Sequence, residues 1–417
     1  MPKPSGGERI VSTFQIADEV VSNYLLRSLT RKNLPKLSSR SYAYRPDLGP
    51  HDAISYLRSE FAREHRLFVA EYDFRKFFDT VEHEHLRKSL DRMGIIKTPL
   101  EEYTIDMFLK APEPYLSNID KKLEKPPRYR GIPQGTSLSL FLANIAASEL
   151  DRSLERLGVG FVRYADDTLI WSADYGKICA ASAALYEASE QIGSPVNSEK
   201  SNGIRLLIGE EEPKTEMKST TSVIFLGHDI GLRSVRIKIE SINRIKAKIK
   251  NLIYANLLLE PAAGTQVHAR LKDKDRDYIV LIWQLRRYLY GSLTERQVRD
   301  FHKGAIPPMS FEGVMSFYPL VDDYASLREL DSWIATRIWL AMRKRAQLLS
   351  TSSIAPTPPH GLTRSELINF KVKSTRTGDL IDLRIPSLYK IASVLRRAVS
   401  THGLGVVSGR TPLYHYD

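Results

Sequence analysis

The chain has 417 residues, 42% hydrophobic, 26% charged and 9% aromatic, a balance that excludes a wholly disordered or collagen-like protein. No apolar run reaches the ~20 residues of a membrane span, and the opening residues, Met1-Pro-Lys-Pro-Ser-Gly-Gly-Glu8, lack the apolar core of a secretory signal. The single cysteine, Cys179, excludes an internal disulfide framework and a cysteine-built zinc site, so a cytoplasmic protein with no membrane partner is expected.

The net charge of +12 is unevenly spread. Residues 1–230 carry 31 basic and 33 acidic side chains, whereas residues 231–417 carry 30 and 16, a net of +14. A basic second half joined to a balanced first half is the footprint of a polyanion-binding region, or else of a solvated basic surface.

Hydrophobic spacing predicts a helix within residues 1–37, with Ile16, Val20, Val21, Tyr24, Leu25 and Leu29 on its apolar stripe. Ser38–Pro50 breaks the pattern and His51–His65 resumes it. Arg66–Phe74 reads as a strand, Thr80–Arg92 and Leu100–Lys110 as helices, Lys121–Gly131 as a loop, and Thr136–Leu157 as one long helix. Phe161–Trp171 places two apolar arms around Ala165-Asp166-Asp167 and reads as a hairpin. Tyr175–Ile192 is helical, Gly203–Ile208 and Ser222–Ile230 are short strands, and Gly209–Lys218 is an acidic loop. From Ile242 the period is helical, with Ile242, Ile245, Ile249 and Leu252 forming one face. Tyr278–Tyr290, closed by Gly291, and Ser332–Leu349 follow; Ser350–Gly361 reads as a linker.

Carboxylates sit at two strand ends, Asp73 and the pair Asp166-Asp167. Asp is a good turn former, so the pair also suits an ordinary hairpin tip. If the two strands are neighbours, however, Asp73 and Asp166 meet at one sheet edge as hard oxygen ligands. Such a cage suits Mg²⁺, and a pair of ions is what in-line phosphoryl transfer requires. The pair His83 and His85 lacks a third ligand at zinc spacing and reads as surface histidines. Trp283, Trp333 and Trp339 read as core side chains, and Arg343-Lys-Arg345 as a phosphate contact or a complement to a helix dipole.

Tyr164-Ala-Asp-Asp167 after Phe161-Val-Arg resembles the catalytic hairpin of bacterial reverse transcriptases. Four further blocks agree in the family's order: Ser41-Tyr-Ala-Tyr-Arg-Pro46 with His51-Asp-Ala-Ile54, Glu71-Tyr-Asp-Phe-Arg-Lys-Phe-Phe-Asp79, Arg130-Gly-Ile-Pro-Gln-Gly135 with Leu142-Ala-Asn-Ile145, and Phe225-Leu-Gly227. The resemblance implies an α+β fold of right-hand polymerase type: fingers, a palm with a small antiparallel sheet, a helical thumb and a basic helical C-terminal extension. Its expected boundaries are 1–65 for N-terminal helices and fingers, 66–230 for the palm with the remaining fingers elements, 231–349 for the thumb, and 350–417 for linker and extension.

By the same resemblance Asp73, Asp166, Asp167 and the carbonyl of Phe74 hold two Mg²⁺ ions, with Mn²⁺ as a substitute, and Lys200 protonates pyrophosphate. Arg45 meets the triphosphate, Phe78 excludes a ribose 2′-OH, and Gln134 and Gly135 lie beside the incoming nucleotide. Phe225, Leu226 and Gly227 form the primer grip. Lys246, Lys248 and Lys250, on the basic helix from Ile242, are expected to hold nucleic acid. The implied function is an RNA-directed DNA polymerase whose partners are dNTPs, an RNA template or non-coding RNA and the DNA product; a homo-oligomer is compatible with this.

One cysteine disfavours the endonuclease of group II intron proteins, and the Val-Thr-Gly triplet of retron enzymes is absent. The nearest pattern is that of defence-associated, abortive-infection-like enzymes. Alternatives are an untemplated or protein-primed DNA polymerase on the same palm and an intron-type maturase or RNA-binding protein.

Overall fold

The computed structural model describes residues 14–112, 126–212, 217–264, 271, 274–350, 357–373 and 378–407. Two compact units divide them: the first runs to Phe225 and takes in Gly231–Arg233, and the second holds Leu226–Ile230 and runs on from Ser234.

In the first unit, helix α1 (Ile16–Asn33) follows the predicted period but not the predicted face. Leu25 and Leu29 are buried, whereas Ile16, Val20, Val21 and Tyr24 are exposed. Ser22 and Ser28 lie inward instead, each hydrogen-bonded: Ser22 Oγ accepts from the Leu138 amide, and Ser28 Oγ donates to Glu101 at 2.8 Å. Helix α2 (Pro50–Phe61) opens with proline at its first position, where no amide is needed. Strand β1 (Leu67–Tyr72) buries Leu67, Val69, Ala70 and Tyr72. The short α3 (Phe77–Thr80) and then α4 (His83–Arg92) replace the single helix expected from Thr80. Helix α5 (Pro99–Leu109) starts from a reciprocal Thr98–Glu101 capping box.

The helix expected over Thr136–Leu157 is two, α6 (Ser137–Ala146) and α7 (Ser148–Leu157). They part at Ala147, whose φ of −94° and ψ of 1° leave the helical range; the Ser148 hydroxyl donates to the Ile145 carbonyl at 2.7 Å, a local bond that competes with the helix. Strands β2 (Gly160–Tyr164) and β3 (Asp167–Ser172) form the predicted hairpin. Helix α8 (Tyr175–Ile192), capped by Asp174 and ended by left-handed Gly193, matches the sequence pattern at both ends. Strands β4 (Asn202–Leu207), β5 (Ser219–Thr220) and β6 (Val223–Phe225) complete the unit.

The sheet order is β2-β3-β1-β4-β5, antiparallel except for the β4–β5 pair. Helices α4, α6, α7 and α8 join its apolar face in one core that includes Tyr72, Leu86, Phe141, Leu150, Phe161, Ile170 and Leu185.

The second unit contains β7 (His228–Ile230) paired with β8 (Val235–Ile237), then α9 (Ile239–Ile253). Ile245, Ile249 and Ile253 are its buried line, while Ile242 and Leu252 are only half-buried. A π-helical turn, Tyr254–Leu258, leads into α10 (Leu259–Ala262). Helices α11 (Arg276–Tyr290), α12 (Glu295–Lys303) and α13 (Tyr324–Ser350) follow. Helix α13 begins eight residues before the expected Ser332, since the stretch from Tyr324 supplies its own apolar positions, Leu327 and Leu330. Next come α14 (Arg364–Ile368), the hairpin of β9 (Lys371–Lys373) and β10 (Leu380–Asp382), and α15 (Leu388–His402).

Two further sequence readings change. Arg345 is wholly buried, donating to Asp275 at 2.7 Å, to Asp277 at 2.7 Å and to the Leu257 carbonyl at 2.8 Å; it satisfies an acceptor of the π turn and is no phosphate contact. Trp283 is 56% exposed rather than core. No helix among the described residues is long and apolar enough to cross a membrane.

Candidate active site

The last residue of β1, Tyr72, lies opposite Thr168 near the start of β3, and the β2–β3 hairpin closes with the pair Tyr164 and Asp167. Asp73 therefore leaves β1 at the sheet end where Asp166 and Asp167 turn. Antiparallel pairing of neighbouring strands brings together carboxylates far apart in sequence. The hairpin is as short as one can be: Ala165 and Asp166 are its two turn residues, and Ala165 takes φ 58°. A left-handed alanine costs about 1 kcal/mol or more, so neighbouring contacts must hold it there.

Arg163 supplies one. Its guanidinium is 1% exposed and makes a forked pair with Asp151, at 2.7 and 2.6 Å. Nη1 donates to the Ala165 carbonyl at 2.9 Å, and Nη2, already in the fork, also donates to Ser41 Oγ at 2.9 Å. Asn144 joins the same cluster through Ser41 Oγ, and its amide donates to the Ala43 carbonyl at 2.8 Å. The backbones of Arg40, Tyr42 and Arg163 exchange hydrogen bonds at 2.9 Å. Three sequence blocks, around Ser41, Asn144 and Asp166, are thus one buried polar network that positions the turn.

Asp73 is anchored from the other side. Its amide donates to Ser201 Oγ at 3.1 Å and its carbonyl accepts from the Asn197 amide at 2.8 Å. The Asn197 side chain donates to Oδ2 at 3.0 Å, and Lys200 Nζ stands 3.4 Å from the same oxygen. Lys200 is 61% exposed against 16% for Asp73, so a solvent-facing ammonium already balances this carboxylate. Phe74 is buried and bridged to Val196. Among the described residues no three histidine, cysteine or acidic side chains make a closed metal cluster. The donor set nonetheless fits a hard cation: carboxylate oxygens on two adjacent strand ends, one of them already drawing a positive charge.

Phe77 and Phe78 divide the roles their neighbourhood allows. Phe77 is 2% exposed, while Phe78 is half-buried and meets it edge-on at 5.8 Å and 86°. The Arg130–Gly135 turn docks on the segment after Phe78. Ile132 donates to the Phe78 carbonyl at 2.6 Å, Gly131 to the Val81 carbonyl at 2.7 Å, and Gln134 Nε2 to Asp79 at 2.8 Å. Gly131 has φ 82°, and a Cβ there would lie 2.7 Å from the Asp79 carbonyl oxygen, so the close approach needs glycine. Gly135 is exposed, with φ 107°. His83 is buried rather than at the surface, its Nε2 at 2.8 Å from the Gly131 carbonyl oxygen; burial lowers its pKa. His85 bonds likewise to the Ala146 carbonyl at 2.8 Å, so neither histidine is presented as a metal ligand.

Arg45 spends its guanidinium on Asp47, at 3.0 and 2.6 Å, and on the Ser38 carbonyl at 2.5 Å; a phosphate would have to compete with these. Phe225 is buried, whereas Leu226 and Gly227 form a left-handed pair with φ 45° and 75°. In α9, Lys246 and Lys250 stand 5.5 and 6.0 Å from the centre of the Trp333 ring, with Arg337 5.7 Å from it. Lys248, two residues from each, lies on another face of the helix and is exposed.

Sequence reasoning missed Arg163, Asp151, Asn144 and Asn197 as members of the site. The legible signal was an arginine inside a strand whose other residues are apolar, since such a charge is buried only when paired.

A model of the family described as reverse transcriptase (RNA-dependent DNA polymerase) matches residues 1–230. The COX1/OXI3 intron 1 protein of Saccharomyces cerevisiae is 29% identical over 155 residues, which are 37% of this chain and 18% of that protein. Telomerase from Candida albicans in complex with the TWJ fragment of telomeric RNA matches with a TM-score of 0.41 and 13% identity, over 82% of this chain and 55% of that one. Apo telomerase from Candida tropicalis, truncated from the C-terminal domain, matches with a TM-score of 0.38 and 14% identity, over 52% and 44%. The chain therefore spans less than a fifth of the yeast protein and about half of the telomerase chains. Because the family match takes in all five sequence blocks, from Ser41 to Gly227, the protein belongs to the reverse transcriptase family.

Proposed function

We propose that the protein is an RNA-directed DNA polymerase that extends a DNA strand from dNTPs on an RNA template. The observation that carries this reading is the pairing of β1 with β3, which gives Asp73 and the Asp166-Asp167 turn a common sheet end. Asp73, Asp166, Asp167 and the Phe74 carbonyl are the groups to hold divalent ions, Mg²⁺ or Mn²⁺, which when bound supply activation of the attacking oxygen and neutralisation of the triphosphate charge.

The remaining roles belong to the chain's own side chains. Lys200, exposed and 3.4 Å from Asp73, would move off that carboxylate and give a proton to departing pyrophosphate. The half-buried ring of Phe78 would lie at the sugar and exclude a ribose hydroxyl. Gln134 and Gly135 would flank the incoming nucleotide, and Arg45 would meet its phosphates by exchanging Asp47 for them. Phe225, Leu226 and Gly227 would hold the primer. We assign fingers to residues 1–65, palm to 66–230, thumb to 231–349 and an extension to 350–417. A role in antiphage defence with a partner non-coding RNA draws on the basic, helical stretch after residue 230, the pattern that resembles defence-associated enzymes.

A second reading, an intron-type RNA-binding protein or maturase, is favoured by the identity to the yeast intron protein. Primer extension separates the two. With a primed RNA template, dNTPs and Mg²⁺ or Mn²⁺, the polymerase reading expects full-length cDNA that chelation abolishes. Tight RNA binding without extension in either metal would leave the binding protein.

A further inference from the structure

Trp283 is the large aromatic of α11 that the core does not claim. It is 56% exposed although Ile279, Ile282 and Leu285 around it are buried. Arg287, one helical turn on, is exposed on the same side. The two side chains form one wall of an open cleft of about 540 Å³, faced by Leu293, Thr294 and Glu312. That volume is within the range of about 300–1,000 Å³ typical of small-molecule sites.

The cleft is built by close backbone contact. A Cβ on Gly291 would stand 2.3 Å from Glu312 Cβ, and one on Gly313 would stand 2.5 Å from the Gly291 nitrogen. Both glycines have positive φ, 68° and 81°, so only glycine lets segment 312–313 seat against the end of α11. Arg286 lies at the back, 9% exposed, donating to the carbonyls of Asp382 and Arg384 at 2.8 and 2.7 Å. Among the described residues its Nε has no hydrogen-bond partner, and it stands 3.9 Å from Glu295.

We propose that this cleft binds one unpaired nucleotide, with the base stacked on Trp283 and the phosphate on Arg287. An exposed indole beside a cation is the chemistry of single-strand recognition, because every base offers a π face and every linkage a charge. Glu312, exposed and acceptor-only, suits the donor edge of a base and disfavours a polyphosphate. The choice of nucleic acid as ligand rests on the polymerase reading and on the +14 of residues 231–417. The binding itself needs no catalysis.

The test is tryptophan fluorescence of the wild-type protein together with isothermal titration calorimetry of wild type and variants, each titrated in parallel with AMP and with a single-stranded oligo(A) eight-mer. Quenching is expected, and Trp283→Ala should weaken the binding of the quenching ligand by about fivefold to about a hundredfold. Trp283→Phe should restore part of it, and Arg287→Gln should flatten the oligonucleotide salt slope by about 0.7. Oligonucleotide binding far tighter than AMP identifies a strand as the source, while equal affinities identify a free nucleotide; both support the site. Unchanged affinity in Trp283→Ala, with an unchanged melting temperature, would overturn it. An inactive palm would leave these results intact, so failure of the polymerase reading is separately visible.

Discussion

Arg163 grips both oxygens of Asp151, at 2.7 and 2.6 Å, in a pair almost sealed from water. The same guanidinium holds the carbonyl of Ala165, the residue before Asp166. The pair is thus the mechanical support of the Ala165-Asp166 turn. Arg163→Ala strands a buried carboxylate and should lower unfolding free energy by about 3–5 kcal/mol. Arg163→Lys keeps the charge but loses the fork, and should recover only part of that loss. Denaturant titration checks both; values for Arg163→Ala within about 0.5 kcal/mol of wild type, the scale of ordinary surface substitutions, would contradict the role.

The adjacent rings predict a separation of effects. Phe77→Ala empties core and should cost about 3–5 kcal/mol. Phe78→Ala should cost less stability but raise rNTP relative to dNTP incorporation by tenfold or more, on the order of 1.4 kcal/mol in discrimination. Parallel extension assays with the two nucleotide sets read this out. A rise with Phe77→Ala and none with Phe78→Ala would reverse the assignment.

Lys246 and Lys250 share Trp333, whereas Lys248 does not. If the Trp333 face meets nucleic acid, Lys246→Gln with Lys250→Gln should reduce the log–log salt slope of duplex binding by up to about 1.8. Lys248→Gln should change it independently of them. Isotherms at three salt concentrations measure both; an unchanged slope in the double variant would make these residues solvated surface.

Glu295, 1% exposed at the start of α12, has its pKa raised to about 7 by burial, against the opposing charges of Arg286 and Lys390. Unfolded, it titrates near the ordinary value of 4.5. Between those values the folded state holds a proton that the unfolded state releases, so this group's contribution to stability is greatest at low pH and is lost as pH rises through about 7. Glu295→Gln removes the effect. The variant should gain on wild type by up to about 3 kcal/mol between pH 4.5 and 8 in paired denaturant titrations. A difference independent of pH would contradict it.

Much of the first unit was legible because its signals are local. Apolar arms around Ala165-Asp166 imply a hairpin, Asp174 and Gly193 bracket α8, and a run ending in Asp73 implies a strand end. What hid were hydrogen-bond satisfactions, one of them local and the rest long-range. The break at Ala147 depends on a serine hydroxyl that turns back on its own helix, and the inward face of α1 is set by Ser22 and Ser28 finding Leu138 and Glu101. His83 looks like a surface residue until Gly131 brings a carbonyl to it. In the second unit, Arg345 looks like a helix-end cation until Asp275 and Asp277 arrive from 70 and 68 residues away. Burial of a charge is decided by partners that periodicity cannot see.

The most direct measurement of the central claim is primer extension on an RNA template by wild type, Asp73→Asn and Asp166→Asn, each first shown to be folded by its melting temperature. If this sheet end holds the divalent cations, removing either carboxylate should abolish dNTP incorporation in both variants while leaving the fold intact. Wild-type extension with undiminished activity in Asp166→Asn would contradict the assignment of this sheet end as the active site.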